Sequence, residues 1–518
     1  MMSAPLPAPL HVLHTPHALQ CAGAALPWLR ARVSGSLHSD SRLIAPGDGF
    51  IAWPGASTDG RAHVADAIAR GATACLVEQA GVAAFAFPAA PGASLASLPG
   101  LKAAAGPIAA QWFDQPSRQL DVLAVTGTNG KTSTAWWLAD ALNGRAKSPV
   151  CALAGTLGLG VPPVLETAGM TTPDPLRLQR ALRQFVDRGL SACAIEASSI
   201  GLEQGRLAGT QIRAAIFTNC TQDHLDYHGS MAAYWRAKRA LFDWPGLQAA
   251  VINIDDPAGA QLHAELAGRV PDLWSISTQG PARLAARDIT LAAQGLRCTV
   301  REGAAPQRLT TRVIGHYNLQ NLLAVLATLR SLGWPLAEAL QAGAGLQPVP
   351  GRMQQLALAG QPLVVVDYAH TPDALAKALQ ALRPLAARRA GRLWCVFGCG
   401  GDRDAGKRPL MGAAAEQQAD RLLLTSDNPR SEDPDAILRQ ILQGISRRRA
   451  VRTEPDRAAA IAQAVAEAAP ADVLLIAGKG HEDSQEVAGV RRPFSDWAHA
   501  QRAMQARQRA VPPRGAGA

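Results

Sequence analysis

Short apolar runs alternate with helix-like stretches along most of the chain. The runs in SACAIEASS, AAIFTNC and AAVINID are each bounded by segments of mixed polarity. This alternation is typical of βα units, in which buried parallel strands are joined by crossover helices. We therefore predict an α/β fold built on mostly parallel sheets.

The pattern repeats in the last third of the chain, beginning near GQPLVVVDYAH. The runs in VVVDYAH, RLWCVFGCGGD, RLLLTSDNPR and DVLLIAGKGHE each end in polar or charged residues. Open α/β sheets bind ligands beyond the carboxyl ends of their strands. We predict that these four strand ends form one ligand-facing row.

Three zones divide the chain, as suits its 518 residues. The first is rich in Ala, Gly and Pro, with short strand-like pieces such as GFIAW and ATACLVE. We predict domains at residues 1–111, 112–352 and 353–518. Residues 79–101 carry no charge, but Pro88, Pro91 and Pro99 argue against a membrane span, so a flexible or insertion-like surface segment is expected there.

The net charge of +10 raises the question of nucleic acid, but the basic residues form no long block and do not alternate with aromatic residues. A scattered excess of basic residues is more often a solvated surface or a site for anionic small molecules. The eight cysteines are scattered, and only Cys395 and Cys399 are close, which favours reduced thiols in a cytoplasmic enzyme. The amino terminus has no charged segment typical of a signal peptide.

The segment VTGTNGKTS, residues 125–133, joins an apolar strand to a helix through a glycine-rich turn. Such a loop presents backbone N–H groups and a helix N-terminus to phosphate, with Lys131 reaching the terminal phosphates and Thr132 reaching Mg²⁺. Val125 stands where the usual P-loop has glycine, so the loop is shorter. The predicted ATP-binding residues of this loop are Gly127, Thr128, Asn129, Gly130, Lys131, Thr132 and Ser133.

Other polar residues have two interpretations from the sequence alone. Glu196 follows an apolar run and could hold Mg²⁺ or cap a helix. His224 lies in the His- and Asp-rich NCTQDHLDYHG, which suits a metal site or a turn. Lys238, in the amphipathic YWRAKRALF, has the spacing of a surface lysine.

Taken in order, these motifs resemble the Mur ligase family of ATP-dependent amide-bond synthetases. The matching stretches span roughly residues 120 to 485 and are TGTNGKTS, TTPDP, EASSIGL, TNCTQDHLDYHG, YWRAKRALF, NIDDP, GHYNLQN, VPGRMQ, VVDYAHTPDAL, FGCGGDRDAGKRPLM, TSDNPR and AGKGHE. The resemblance implies a UDP-sugar domain, a central ATPase with a P-loop-type, mostly parallel sheet, and a C-terminal Rossmann-like domain that binds the incoming amino acid.

The resemblance also assigns the nucleotide and metal residues. It implies that Lys238 is carbamylated by CO₂ and becomes an anionic Mg²⁺ ligand beside Thr132, Glu196 and His224. Carbamylation needs the neutral amine, which burial or nearby cations favour. Further ATP contacts carry over to Asn318, Arg352 and Asp367. The implied catalytic residues are Lys131, Glu196, His224, Lys238 and Arg352.

Within the family, the motifs imply addition of meso-diaminopimelate to the D-Glu γ-carboxylate of UDP-MurNAc-L-Ala-D-Glu through an acyl phosphate, in peptidoglycan precursor synthesis. Many relatives have His where Ile200 stands, so a polar role there is absent or supplied elsewhere. The implied UDP-MurNAc-dipeptide contacts are Ser41, Thr171, Thr172, Ser198, Gln204 and Arg206. The implied diaminopimelate contacts are Arg403, Asp427, Asn428, Pro429, Arg430, Gly478 and Glu482.

TSDNPR places Asp427 and Arg430 around Asn-Pro, where a plain turn needs neither charge. Meso-diaminopimelate has a distal ammonium for Asp427 and a distal carboxylate for Arg430. Lysine lacks that carboxylate, so the same chemistry with L-lysine is the nearest alternative and the stretch is predicted to select against it. A nucleotide-binding regulator or transporter ATPase, and the folate and cyanophycin ligases, are more distant alternatives. We expect a monomer without nucleic-acid partners.

Overall fold

The computed structural model describes residues 15–510, apart from 56–57, 145–147, 149, 293–294, 304 and 448–450. Most of the amino-terminal stretch considered for a signal peptide, residues 1–14, lies outside this range. None of the helices in the described ranges combines the length and apolar character needed to cross a membrane.

The amino-terminal part forms a five-stranded, all-parallel sheet in the order β1-β5-β4-β3-β2. Apolar strand residues on its two faces pack into separate clusters of buried side chains. Its elements are β1 (His17–Ala18), α1 (Ala22–Arg30), β2 (Leu37–His38), β3 (Gly49–Ala52), α2 (Val64–Ala69), β4 (Ala74–Glu78), β5 (Ser94–Leu98) and α3 (Leu101–Trp112).

The expectation of a flexible or insertion-like segment at residues 79–101 is wrong for its second half. Ser94–Leu98 forms β5, which lies between β1 and β4, and its side chains from Leu95 onward are buried. The stretch has no charge because a parallel strand inside a sheet is covered on both faces. Pro88 and Pro91 precede this strand and do not interrupt it.

The central part continues the α/β alternation, with most helices beginning after a strand. Its first elements are β6 (Asp121–Thr126), α4 (Lys131–Asn143), β7 (Cys151–Gly155), β8 (Gly158–Val161), β9 (Val164–Glu166), α5 (Pro175–Asp187), β10 (Ala192–Glu196), α6 (Ser199–Glu203), β11 (Ala214–Phe217), α7 (Leu225–His228) and α8 (Met231–Arg239). There follow β12 (Ala249–Asn253), α9 (Pro257–Leu266), β13 (Asp272–Ser277), β14 (Leu284–Leu291), β15 (Leu296–Glu302), β16 (Ala305–Thr311), α10 (His316–Ser331) and α11 (Leu336–Gly345).

Strand β10 pairs in parallel with β6 and with β7, and its register sets Glu196 opposite Val125. Glu196 therefore lies at the sheet edge where β6 ends and the glycine-rich turn begins. Antiparallel pairs join β7 to β8 and β8 to β9, as well as β14 to β15 and β15 to β16.

The carboxyl-terminal part contains a six-stranded sheet in the order β17-β18-β22-β19-β20-β21, parallel except at β17. The four apolar runs of the sequence form β18, β19, β20 and β22. The elements are β17 (Gln354–Leu356), β18 (Leu363–Asp367), α12 (Pro372–Arg388), β19 (Leu393–Phe397), α13 (Lys407–Gln418), β20 (Arg421–Leu424), α14 (Pro434–Leu442), β21 (Val451–Thr453), α15 (Arg457–Glu467), β22 (Val473–Ala477), β23 (Ser484–Val487), β24 (Val490–Pro493) and α16 (Asp496–Ala510).

The described residues fall into two compact units. The first is drawn from Met1–Gly127, Ala146–Ile216 and Ser230–Ala250, and the second from Thr128–Arg145, Phe217–Gly229 and Val251–Ala518. The predicted α/β class with mostly parallel sheets is confirmed. The predicted boundaries after residues 111 and 352 stay a prediction.

Candidate functional site

The glycine-rich turn runs from Gly127 to Gly130, between the end of β6 and the start of α4 at Lys131. Gly127 and Gly130 have positive φ angles of 149° and 90°. A Cβ atom at Gly130 would lie 2.3 Å from Asn321 Oδ1. Position 130 therefore requires glycine for two reasons, its positive φ and the lack of room for a Cβ atom. Glycine also leaves the N-terminus of α4 open to an anion.

Side chains beyond the turn hold its middle in place. Thr128 Oγ1 donates to the carbonyl oxygen of Thr221 at 3.0 Å and accepts from the Thr221 N–H at 3.0 Å. The Asn129 N–H donates to Asn219 Oδ1 at 2.9 Å, and Asn219 Nδ2 returns a bond to the Asn129 carbonyl. Thr218 Oγ1 donates to the same carbonyl at 2.6 Å. The turn is thus fixed by Thr218, Asn219 and Thr221 of the TNCT stretch, which sequence reasoning did not assign.

The charged and hydroxyl groups of the predicted ATP loop follow at the start of α4. Lys131 is half-buried, and its Nζ donates to the Thr128 carbonyl at 3.0 Å. Thr132 and Ser133 are buried in the first turn of the helix. The amine is thereby held next to the backbone amides that would face a phosphate.

Glu196 is completely buried at the end of β10. Its Oε1 accepts from the Thr156 N–H at 2.7 Å, and its Oε2 lies 3.2 Å from Thr156 Oγ1. A Cβ at Gly155 would come within 2.3 Å of Oε1. The carboxylate is therefore oriented by the chain around Thr156, and the N-cap of the next helix, α6, is Ser198.

Lys238 is not the surface lysine that its spacing suggests, because its side chain is 1% exposed. Its Nζ donates to the Gly127 carbonyl at 3.0 Å and lies 4.2 Å from the centroid of the Tyr234 ring. The amphipathic pattern of α8 misleads here, because one of its charged residues belongs to the inward face. The interior position supports the role that the resemblance implies.

His224 lies at the start of the short helix α7 with a left-handed backbone, at φ 51°. Its exposed ring is 3.6 Å from Asp223 Oδ2. Across the described ranges, no three His, Cys, Asp or Glu side chains converge as a metal site. Mg²⁺ ordinarily takes one or two carboxylates together with substrate phosphates, and the buried carboxylate of Glu196 fits that kind of binding.

Thr172 and Ser198 of the predicted UDP-MurNAc-dipeptide set come together beside Glu196. Thr172 Oγ1 donates to the Glu196 carbonyl at 2.7 Å and accepts from the Ser198 N–H at 3.0 Å. Ser198 Oγ caps α6 by accepting from the Gly201 N–H at 3.0 Å. Ile200, in the same helix, is half-buried and provides no polar group.

Three more residues of that set adjoin this cluster. Arg206 donates to the Thr172 carbonyl at 2.9 Å and to Gln204 Oε1 at 2.8 Å. Thr171 Oγ1 lies 3.1 Å from Thr156 Oγ1. The sixth residue, Ser41, is buried in the amino-terminal part of the first unit, in the 3₁₀ turn Ser41–Leu43. The structure thus groups five of the six residues around the carboxyl end of β10.

Of the other predicted ATP residues, Asn318 and Asp367 are buried and already bonded to protein. Asn318 Nδ2 donates to the Ile314 carbonyl at 2.9 Å. Asp367 accepts from the N–H groups of Met353 and Ala369, both at 2.8 Å. Burial raises the pKa of Asp367, whereas the positive charge of Arg352 acts in the opposite direction.

Arg352 packs its guanidinium 4.3 Å from the centroid of the Tyr368 ring. Its Nη1 is 3.3 Å from His481 Nδ1. Burial, assisted by the charge of Arg352, lowers the pKa of His481 to about 4. The imidazole is therefore neutral near pH 7, and it can accept a hydrogen bond from the guanidinium without adding a second positive charge.

Asp427 is buried just beyond β20. A Cβ at Gly478, whose φ is 116°, would lie 2.4 Å from Asp427 Oδ2, so this close approach requires glycine. Burial raises the pKa of Asp427, and the charges of Arg457 and Lys479 oppose that rise. The ends of β20 and β22 thus meet at one carboxylate.

Asn428 and Glu482 form a polar group with the fully buried Lys479. Lys479 Nζ donates to Asn428 Oδ1 at 3.0 Å and to Glu482 Oε2 at 2.8 Å, while Asn428 Nδ2 donates to the same Glu482 oxygen at 2.8 Å. Lys479 therefore orients two of the predicted diaminopimelate contacts. Sequence reasoning did not assign Lys479 a role, although it quoted the AGKGHE stretch.

Arg430 has a left-handed backbone, with φ 54°. Its N–H donates to the Glu486 carbonyl at 3.0 Å, and its Nη1 donates to the Gly401 carbonyl at 2.7 Å. Among the described residues, no carboxylate is paired with its guanidinium. Pro429 is buried, whereas Arg403 is exposed and donates to the Asp402 carbonyl.

A buried ion pair under these loops was also missed. Arg457 and Asp496 are both fully buried and form two hydrogen bonds of 2.7 Å. Arg457 also donates to the carbonyls of Ser426 and Ala477, at the ends of β20 and β22. No rule of sequence spacing identifies the Arg457–Asp496 pair, because the two residues come from different helices.

Comparisons with known proteins show which family the chain resembles. Residues 36–102 match the family model described as Mur ligase family, catalytic domain; residues 125–329 match the Mur ligase middle domain; and residues 351–480 match the Mur ligase, glutamate ligase domain. The UDP-N-acetylmuramoyl-L-alanyl-D-glutamate–2,6-diaminopimelate ligase of Acidovorax sp. (strain JS42) is 66% identical over 96% of this chain and 99% of its own length. Its counterpart from Janthinobacterium sp. (strain Marseille) is 47% identical over 93% of this chain and 96% of its own.

A solved structure of a UDP-N-acetylmuramoyl-L-alanyl-D-glutamate–2,6-diaminopimelate ligase is 36% identical, with a TM-score of 0.63 over 91% of this chain and 95% of that one. MurF from Acinetobacter baumannii is 19% identical, with a TM-score of 0.65 over 96% and 99% of the two chains, and shares the fold. The family resemblance stated from the sequence motifs is confirmed. This chain belongs to the Mur ligase family.

Proposed function

We propose that this protein joins the amine of meso-diaminopimelate to the D-Glu γ-carboxylate of UDP-MurNAc-L-Ala-D-Glu, with ATP converted to ADP and phosphate. The relative that is 66% identical is named for that reaction with 2,6-diaminopimelate. The observation that carries the proposal lies in the C-terminal sheet. There, the loop that follows the parallel strand β20 carries both a buried carboxylate, Asp427, and an arginine without a described ion pair, Arg430.

The reaction needs ATP because a free carboxylate is a poor electrophile. A γ-carboxylate oxygen attacks the terminal phosphorus of ATP, ADP leaves, and an acyl phosphate forms. The amine of the amino acid then attacks the acyl carbon, and the tetrahedral intermediate expels phosphate while the amine loses its proton. This sequence requires no nucleophilic serine or cysteine, so catalysis is mainly positioning and charge neutralisation.

We assign the charge neutralisation to Lys131 and Arg352. Lys131 is held at the first turn of α4, and Arg352 is held by Tyr368 and the neutral His481. A guanidinium matches the geometry of phosphate oxygens, and an ammonium acts as a point charge. Mg²⁺, when bound, neutralises phosphate charge, and we expect Thr132, Glu196 and His224 to provide its protein ligands.

We further propose that Lys238 is carbamylated. Its burial disfavours the ammonium form and so favours the neutral amine that reacts with CO₂. A carbamate nitrogen retains one N–H, so it can keep the hydrogen bond to the Gly127 carbonyl. The product would add a second negative oxygen ligand beside Glu196, within the one or two that a magnesium site ordinarily has.

Lys238→Ala tests the carbamate. We expect its ligase activity to be nearly lost and then partly restored by short-chain carboxylates, which can occupy the vacated space. Lys377→Ala, which removes a half-buried lysine paired with Asp373, is the control and should retain activity. Unchanged activity of Lys238→Ala would remove this lysine from the mechanism.

Phosphate release tests the proposed function as a whole. We expect release only when ATP, UDP-MurNAc-L-Ala-D-Glu and diaminopimelate are all present. Equal ATP turnover without the other two substrates would favour a plain ATPase and reject the ligase proposal. Replacing diaminopimelate by L-lysine in the same assay decides between the two amino acids. We expect the enzyme to act in the cytoplasm as a monomer.

A further inference from the structure

Two loops of the C-terminal sheet are cross-linked next to the predicted amino-acid contacts. Loop 400–402 follows β19, and loop 428–432 follows β20. The Gly401 N–H donates to the Asn428 carbonyl at 2.9 Å. Ser431 Oγ donates to Asp402 Oδ1 at 2.6 Å, and the Ser431 N–H lies 3.2 Å from Asp402 Oδ2. The loops that present Arg403 and Arg430 therefore share one hydrogen-bond network.

Glu432 and Arg408 anchor this network. The two Glu432 oxygens accept from Arg408 Nη1 and Nη2 at 2.8 Å each, and Oε1 also accepts from the Asp402 N–H at 2.6 Å. Arg408 is fully buried and also donates to the Gly400 carbonyl at 3.0 Å. One two-point ion pair thus connects helix α13, loop 400–402 and loop 428–432.

The network matters because each loop contains one non-glycine residue with an unfavourable backbone conformation. Asp402 and Arg430 have φ angles of 53° and 54°, a conformation that L-residues other than glycine seldom adopt. Such residues persist only where their surroundings over-determine them. The loops are also in close contact, since a Cβ at Gly401 would fall 1.8 Å from the Pro429 carbonyl oxygen.

We infer that Arg408 and Glu432 are positioning residues for amino-acid specificity. Among the described residues, neither side chain is hydrogen-bonded to a predicted diaminopimelate contact, and Glu432 reaches Pro429 only through its backbone N–H. Through Asp402 and Ser431 they hold the backbone of Arg430 in its left-handed conformation, so that its guanidinium is already oriented when the amino acid arrives. The inference rests on the proposed function, in which Arg430 binds the distal carboxylate of diaminopimelate.

The pair stays ionised through the range in which the enzyme would be assayed. The hydrogen bonds from Arg408, followed by the one from the Asp402 N–H, lower the pKa of Glu432 to about 2. A lowered carboxyl pKa means that the stabilisation is complete above its ordinary value of 4.5 and is lost only as pH falls toward 2. Effects of Glu432 should therefore not vary with pH near neutrality.

Glu432→Gln is the test, because it removes the charge and keeps the volume. We expect the KM for diaminopimelate to rise about tenfold, as for other residues that orient a ligand-binding group, with kcat much less affected. The preference for diaminopimelate over lysine in kcat/KM should fall by a similar factor. The KM values for ATP and UDP-MurNAc-L-Ala-D-Glu should stay as in the wild type.

Glu467→Gln is the matched control. Glu467 pairs with Arg452 at 2.5 Å in the same C-terminal part, so it undergoes the same change in another Arg–Glu pair. Its kinetics should equal those of the wild type. If Glu432→Gln does not fold, Ser431→Ala replaces it, because Ser431 is exposed and its hydroxyl belongs to the same network.

The outcomes separate three possibilities. A rise confined to the diaminopimelate KM supports the positioning role. An unchanged diaminopimelate KM, or an equal rise of all three KM values together with a lower Tm, overturns it. A wild-type enzyme that does not use diaminopimelate rejects the proposed function itself, before any variant is compared.

Discussion

The nucleotide loop, residues 127–130, and the DNPR loop, residues 427–430, solve similar problems by different means. Each follows a buried strand that has a parallel neighbour, β6 in one case and β20 in the other. In the nucleotide loop, glycines take the positive-φ positions, and the proposed binding groups are backbone amides at a helix N-terminus. In the DNPR loop, an arginine takes the positive-φ position, and the proposed binding groups are side chains.

The difference follows from the ligands. Phosphate accepts hydrogen bonds from any well-placed N–H, so a glycine-rich turn and a helix N-terminus suffice. An amino acid with a distal ammonium and carboxylate needs two opposite charges at a fixed separation. Those charges must be oriented by other residues. We assign this role to Glu432 of the same loop and to Arg408 and Lys479, which come from other parts of the chain.

The largest expected effect is in the nucleotide loop. Lys131→Ala should lower kcat by about 10²- to 10³-fold, the usual loss when a preorganised donor to a developing charge is removed. Phosphate release with all substrates saturating measures it, and Lys377→Ala is the control for losing a lysine. Wild-type kcat in Lys131→Ala would mean that backbone amides alone neutralise the phosphate charge.

The next effect is in the DNPR loop. Arg430→Ala should lower kcat/KM for diaminopimelate roughly 10²-fold, because truncating one partner of a charge pair costs about 2–5 kcal/mol. Use of lysine should change much less, so discrimination relaxes. Arg439→Ala, which removes an exposed arginine of α14 paired with Asp433, is the control. Equal losses with both amino acids would show that Arg430 is not the selector.

Two glycine substitutions should show that the two loops bind different substrates. Gly401→Ala places a Cβ 1.8 Å from the Pro429 carbonyl oxygen, and Gly130→Ala places one 2.3 Å from Asn321 Oδ1 at a φ of 90°. We expect the first to raise KM for diaminopimelate alone and the second to raise KM for ATP alone, each by about tenfold. Gly345→Ala, with nothing within 4 Å of the new Cβ, is the control. Crossed effects would argue that the loops do not act independently.

The smallest effect is a pH dependence confined to the DNPR loop. Burial raises the pKa of Asp427 above its ordinary 3.8, and ammonium binding needs its charged form. The KM for diaminopimelate should therefore rise a few-fold as the pH falls toward the ordinary carboxyl value of 3.8, and the rise should begin above that value. For folding the sign is reversed, since a raised carboxyl pKa lowers stability as the pH rises above 3.8.

Asp427→Asn checks both signs of that prediction. The variant should bind diaminopimelate weakly, with a KM that no longer depends on pH in this range. Its Tm at neutral pH should be no lower than that of the wild type. A wild-type KM that is constant over the same range would show that the charges of Arg457 and Lys479 outweigh the burial of Asp427.

Most of the fold class was predictable, because alternating apolar runs and helical segments can pack only as layered α/β structure. The four apolar strands of the C-terminal sheet were also predicted correctly, whereas the ligand-facing role of their ends stays a prediction. Strand β5 was not predicted. In the sequence, an uncharged run interrupted by prolines resembles a loop, and only its pairing with β1 and β4 shows that part of it is a strand. Lys238 was misplaced by spacing alone, since amphipathic periodicity cannot show which charged residue a helix buries.

By itself, the sequence determined the α/β class, the nucleotide loop and, through its ordered motifs, the family. These features depend on local rules: glycine where φ is positive, apolar residues where a strand is buried, and charge where a strand ends. Only the tertiary structure decided the burial of Lys238, the bonds of Glu196 to Thr156, and the Arg408–Glu432 pair that holds the DNPR loop. Hydrogen bonds and burial depend on which distant residues meet in space, and a linear pattern does not contain that information.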